Sequence, residues 1–156
     1  MSNIQIVEWD EKYAQPFHDL NEWWITRYFT MEESDRKALL NPKTYIIDKG
    51  GFIIFAIKEN IPVGTCALIK LENTPYDFEL AKMGVAIDSH GAGIGHLLGK
   101  AIIQKAKSDG AKSLFLESNR ILVPALKLYE KLGFKEIINN IPSEYSRSDI
   151  QMELFL

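Results

Sequence analysis

A chain of 156 residues is long enough to bury a substantial core, and its composition (46% hydrophobic, 25% charged, 11% aromatic) excludes a disordered or low-complexity protein. A net charge of −3 with no dense Lys/Arg run argues against a nucleic-acid binder, and no apolar stretch approaches a membrane span. No signal peptide is read, and the single cysteine, Cys66, rules out an internal disulfide and a cysteine-based metal site. The expectation is a cytoplasmic, soluble protein with one domain over residues 1–156.

Ile4–Val7 reads as a first strand, closed by Asp10-Glu11-Lys12. Phe17, Leu20, Trp24 and Tyr28 recur at helical spacing from about Pro16 to Phe29. A second helix is expected from Glu32 to Leu40, stopped by Asn41-Pro42, with Ser34-Asp35-Arg36-Lys37 as its solvated face. Tyr45-Ile46-Ile47 reads as a short strand before the turn Asp48–Gly51. Three strands follow in succession, Phe52–Lys58, Val63–Leu71 and Phe78–Ile87, with reversals at Glu59–Pro62 and Asn73–Pro75. Cys66 falls inside the second of these and is expected to be an inert core thiol.

The next helix, about Gly93 to Ser108, places Ile94, Leu97, Leu98, Ala101 and Ile102 on one face and ends at Asp109-Gly110. Ser113–Glu117 is a strand. Pro124 suits the first turn of a helix that runs to Leu132, with Gly133 as its breaker. Phe134–Ile138 and Met152–Leu156 are expected to close the sheet. The order is that of a mixed α/β domain without repeat or linker.

The stretch Asp88-Ser89-His90-Gly91-Ala92-Gly93-Ile94-Gly95 holds three glycines at alternate positions where a strand ends and a helix begins. Backbone N–H groups unshielded by side chains, together with the helix's own unpaired N–H groups and positive dipole end, make a seat for an anion, most often a phosphate. The Rossmann fingerprint fails, because His96 stands where a third glycine is required and the corner follows an antiparallel run. Walker A fails as well, since Gly99-Lys100 precedes Ala101 and not Ser or Thr.

His90-Gly91-Ala92-Gly93-Ile94-Gly95, preceded by Met83-Gly84-Val85, resembles the acetyl-CoA-binding motif of the GNAT superfamily of N-acyltransferases, Arg/Gln-x-x-Gly-x-Gly/Ala. Leu116-Glu117-Ser118-Asn119 and Ala125–Phe134 are similar to the family's second signature, and together the match covers residues 78 to 138. The resemblance implies a central, mainly antiparallel sheet of six to seven strands flanked by about four helices. It implies acetyl-CoA as cosubstrate, with no metal, and direct transfer of the acetyl group to a primary amine of a small molecule or peptide; no nucleic-acid or membrane partner is expected from the charge and hydropathy.

On this resemblance the cofactor-binding positions are Met83, Val85, His90, Gly91, Ala92, Gly93, Ile94, Gly95, His96 and Asn119. His90 stands where the family has Arg or Gln; its ring N–H would still donate to phosphate. The Val85 N–H takes the oxyanion role. Glu79 resembles the family's catalytic glutamate; in a regular strand it shares a face with Ala81, Met83 and Val85. Tyr129 matches the tyrosine that faces the CoA sulfur, as acid to the thiolate, though it also sits on a packed stripe with Leu122, Leu126 and Leu132. Asn119 is read equally as a turn-capping residue or a partner of the pantetheine arm. Lys100, Lys127 and Lys131 are candidates for a CoA phosphate or are simply solvated, and Trp23 is a candidate for the acceptor wall, although the pair Trp23-Trp24 reads first as core packing. His18 and His96 show no metal pattern. The rival readings are a non-catalytic acyl-CoA sensor on the same fold and a nucleotide-binding protein. The acceptor and a homodimer are left open.

Overall fold

The computed structural model describes residues 3–138 and 140–156. They form a seven-stranded sheet in the order β1-β2-β3-β4-β5-β7-β6, with four α-helices on its two faces. The strands are β1 (Ile4–Glu8), β2 (Phe52–Lys58), β3 (Ile61–Lys70), β4 (Phe78–Val85), β5 (Ser113–Ser118), β6 (Lys135–Glu136) and β7 (Ile150–Phe155). Every pairing is antiparallel except β4 with β5. The helices are α1 (Ala14–Tyr28), α2 (Glu33–Leu40), α3 (Ile94–Ser108) and α4 (Val123–Leu132).

Central strands are apolar on both faces because both are covered. In β2, Ile54 and Ala56 join the core beneath α3 and α4, while Ile53, Phe55 and Ile57 join the core beneath α1 and α2. Glu59 and Asn60 both take positive φ (50° and 65°), the tight hairpin geometry that links β2 to β3. Close helix–sheet and helix–helix contact depends on missing side chains. A Cβ on Gly84 would lie 2.6 Å from the Leu20 carbonyl oxygen of α1, and one on Gly99 would lie 2.4 Å from Leu132 of α4.

Four expectations need correction. Tyr45–Ile47 is no strand; it lies in a π-helical turn, Lys43–Ile47, started by Pro42 in the helical region and closed by Asp48 N–H to the Lys43 carbonyl. The turn buries Ile46 under the sheet and leaves Lys43 free to pair with Asp48 at 3.0 Å. The Phe134–Ile138 strand shrinks to two residues, with Ile138 fully in solvent. On α1 the buried stripe is Phe17, Asn21 and Ile25, which leaves Tyr28 half exposed; Asn21 is accommodated because it donates to the Phe17 carbonyl and accepts from Trp24 Nε1. On α3, Gly99, Ile103 and Ala106 face inward, and Leu97 does not. No helix among the described residues is long and apolar enough to cross a membrane.

Candidate active site

β4 and β5 run parallel but pair only at Phe78–Leu114 and Glu79–Phe115. Beyond that point β5 stays with β7 while β4 stays with β3, so the sheet forks. A β-bulge helps to steer β4 away: between the Thr65–Gly84 and Ala67–Ala81 pairs, Lys82 and Met83 together face the single Cys66. Lys82 carries the strain of the bulge, at φ 53°. The fork opens into a cavity of about 730 Å³, walled by β4, β5, α1, the start of α3, α4 and the segment from Tyr145 to Ser148.

The bulge also changes which residues share a face. Phe78, Leu80, Met83 and Val85 all pack toward α3, whereas Lys82 reaches Asp35 of α2 and Gly84 abuts α1. Glu79 therefore lies on the side of Lys82 and Gly84, not with Met83 and Val85 as strict alternation requires.

At one end of the cavity stands the glycine corner. Gly91 and Gly93 adopt positive φ, 83° and 76°, and Gly93 caps α3 with no side chain of its own. Among the described residues no intramolecular acceptor takes the N–H of Gly91, Gly93, Ile94, Gly95 or His96. The first turn of α3 holds no acidic side chain, so an anion meets bare donors and the helix dipole. Gly95 has a second reason to be glycine: its Cβ would stand 3.1 Å from Leu128 of α4. Of the cofactor-binding positions that the motif implies, Ala92 alone is absent from the cavity wall.

His90 is diverted from the role its place in the motif implies. Its Nε2 lies 2.9 Å from the Val85 carbonyl oxygen, and its ring meets Trp23 edge-on at 5.9 Å. The side chain thus braces the end of β4 against α1, and the anion seat is made of backbone. Asn119 is likewise committed: its Oδ1 accepts the Ile121 N–H at 2.9 Å and its Nδ2 donates to the Arg147 carbonyl at 2.7 Å. Its turn-capping role is shown, and one amide hydrogen remains. Lys127 and Lys131 line the cavity and Lys100 does not.

Glu79 and Tyr129 both reach the wall. Burial pushes the Glu79 carboxyl up to about 8, with Glu117 and Glu144 adding to the rise and Lys82 opposing it. Burial likewise pushes the Tyr129 phenol well above its usual value, so it is a neutral O–H donor at physiological pH. The ring packs on Phe134 at 6.2 Å, and its hydroxyl meets no hydrogen-bond partner among the described residues. Cys66 is fully buried with its thiol held protonated by burial, which fits an inert core residue and no nucleophile.

The sequence gives no warning of the charged cluster at the other end. Asp35, read as part of a solvated helix face, is fully buried. It accepts from Lys82 Nζ at 2.8 Å and from both terminal nitrogens of Arg147 at 2.7 and 2.8 Å, while its Oδ2 also takes the Glu32 N–H at 3.0 Å. Burial opposes ionisation of Asp35, but Arg147 and Lys82 outweigh it and hold the carboxyl well below the usual carboxylate range. Lys82 also donates to the Tyr145 hydroxyl at 3.0 Å, and Arg147 lies over the rings of Tyr145, Trp24 and Phe29. The cluster binds α2, β4 and the segment before β7 into one wall. Trp23 and Trp24 both line the cavity, so Trp24 is not simply core. Away from this site, His18, Asp19 and Glu22 lie within mutual reach on the outer side of α1.

A model of the Acetyltransferase (GNAT) family matches residues 8–134. An uncharacterized N-acetyltransferase of Schizosaccharomyces pombe is 31% identical over 97 residues, 62% of this chain and 60% of that protein, so the match spans about three fifths of the relative's length. Among solved structures, a GNAT-family acetyltransferase of Staphylococcus aureus is similar with a TM-score of 0.85 at 22% identity, over 97% of this chain and 98% of the other. The PaiA N-acetyltransferase of Thermoplasma acidophilum, solved in complex with coenzyme A, is similar with a TM-score of 0.76 at 17% identity, over 99% of both chains.

Proposed function

The chain belongs to the Acetyltransferase (GNAT) family, and from that premise we propose that it transfers the acetyl group of acetyl-CoA directly to a primary amine of a small molecule or peptide. The observation that carries the reading is the forked cavity, which joins an open anion corner to a half-buried carboxyl and a phenol without a hydrogen-bond partner among the described residues. Acetyl-CoA supplies an activated thioester and a pyrophosphate handle. The free N–H groups from Gly91 to His96 hold that handle. Beyond Glu79 the edge of β4 that faces β5 has no strand partner among the described residues, so its backbone, with Met83 and the N–H of Val85, is available to the acyl end and the amide-bearing pantetheine arm.

Glu79 takes the proton of the incoming ammonium, leaving a neutral nitrogen that attacks the carbonyl carbon. The N–H of Val85 stabilises the oxyanion as it develops. The C–S bond breaks, the departing thiolate accepts a hydrogen bond from the Tyr129 phenol, and the extra proton of the acylated nitrogen passes to that sulfur, so that CoA leaves as the thiol. The shifts of both groups suit these roles, since a carboxyl near 8 exchanges protons with an amine at neutral pH and a phenol held neutral by burial can give the thiolate a hydrogen bond. In the support for this reading, the solved PaiA protein binds coenzyme A on the same fold.

Tyr129→Phe tests it. Turnover is expected to fall about 100-fold, with acetyl-CoA affinity by calorimetry unchanged. Equal loss of both, or loss of neither, removes Tyr129 from the chemistry.

A further inference from the structure

Four charged side chains line the acceptor end of the cavity: Lys82, Arg147, Glu79 and Glu117. The two cations are already matched. Asp35 bonds Lys82 and both Arg147 nitrogens, and Glu32 takes a further Arg147 contact at 3.3 Å. Two positive charges meet two negative ones, and the Arg147 fork is filled by a bidentate carboxylate. Among the described residues at this end, a substrate carboxylate finds no cation without a partner.

The two acids of the wall are in the opposite condition. Among the described residues Glu79 takes part in no ion pair, and Glu117 accepts a single neutral hydrogen bond, from Gln151 Nε2 at 3.2 Å. Glu79 opposes Phe115 in the β4–β5 pair, and Glu117 lies two residues further along β5 on the Phe115 face. Strand spacing puts their Cα atoms about 8 Å apart where the fork begins to widen. Glu117 raises the cost of ionising Glu79, and a single ammonium that gives its proton to Glu79 leaves Glu117 unmatched. The rings of Trp23, Trp24, Tyr28, Phe29 and Tyr145 form the remaining wall, suited to an apolar body and to cations.

We propose that the acceptor is a primary amine that carries a second cationic group and no carboxylate, with the reacting amine at Glu79 and the second cation at Glu117. This rests on the acetyl-transfer reading above and makes Glu117 the residue that selects the acceptor. Lys82 and Arg147 are the wall that the acceptor rests on and not its anchors.

The test compares acceptors of matched frame with acetyl-CoA and a free-thiol readout: putrescine, n-butylamine and γ-aminobutyrate, then cadaverine, n-pentylamine and δ-aminovalerate. On at least one frame the diamine is expected to exceed the alkylamine in kcat/KM by about tenfold or more, and the amino acid to fall below both. Glu117→Gln is expected to bring the diamine-to-alkylamine ratio to about one, an effect that general loss of structure does not produce. An amino acid that equals the diamine, or a ratio unchanged in Glu117→Gln, overturns the assignment while acetyl transfer stands. No thiol release with any of the six amines also overturns the assignment, and acetyl transfer itself is then judged by thiol release with peptide amines.

Discussion

Asp35→Ala is expected to be among the most damaging single substitutions at the site. It removes the carboxylate that holds Lys82 and both Arg147 nitrogens, and Lys82, 5% exposed, cannot carry its charge to water without dragging β4 along. Removal of one partner from a buried pair costs about 3–5 kcal/mol. At about 2–4 °C per kcal/mol for a chain of this size, the melting temperature drops by roughly 6–20 °C. Lys82→Met is the contrasting change: Asp35 keeps its bidentate Arg147 and the Glu32 N–H, and the loss stays under about 2 kcal/mol. Urea unfolding followed by tryptophan fluorescence measures both. The pH dependence has a fixed sign. The Asp35 carboxyl is depressed in the folded state, so its stabilisation is complete above the unfolded value of 3.8 and is lost as pH falls through the lower folded value. The gap between the native protein and Asp35→Ala therefore narrows in acid. A cost within about 1 kcal/mol, or Lys82→Met equal to Asp35→Ala, refutes the view that Asp35 is the hub of this wall.

Two further expectations concern the chemistry. With Glu79 as base, kcat/KM for the amine rises with pH through about 8 and levels above it; Glu79→Gln lowers it and flattens that limb, and a profile with the same midpoint in the variant removes Glu79 from the role. Gly93→Val forces a β-branched residue to φ 76° at the head of α3 and covers the free N–H groups. Acetyl-CoA binding by calorimetry is expected to disappear while the circular dichroism spectrum is retained; retained binding contradicts the phosphate seat.

Sequence reasoning reached what local chain geometry determines. Gly91 and Gly93 announce left-handed backbone at a helix start and Gly133 announces the end of α4, so the corner can be placed from spacing, whereas Tyr129, one turn before Gly133, is singled out by the family resemblance. Asp35 could not be read that way. Its partners Lys82 and Arg147 lie 47 and 112 residues away, and on a short polar helix a buried aspartate looks the same as a solvated one. The bulge at Lys82 was equally hidden, because it depends on the register against Cys66, and it moved Glu79 to a face that alternation does not give. His90 shows the limit of motif reading: its place in the motif points to phosphate, but Val85 and Trp23 hold its ring.

The central claim is that one forked cavity passes an acetyl group from CoA directly to an amine. Mass spectrometry of a single reaction, run with and without an amine that the panel identifies as an acceptor, tests it most directly. Free CoA and acetylated amine are expected in equal amounts, with no release of CoA above background when the amine is left out and no acetyl group retained on the protein, Cys66 included. CoA released at the same rate without the amine, or an acetylated protein that forms and then decays as product appears, contradicts direct transfer.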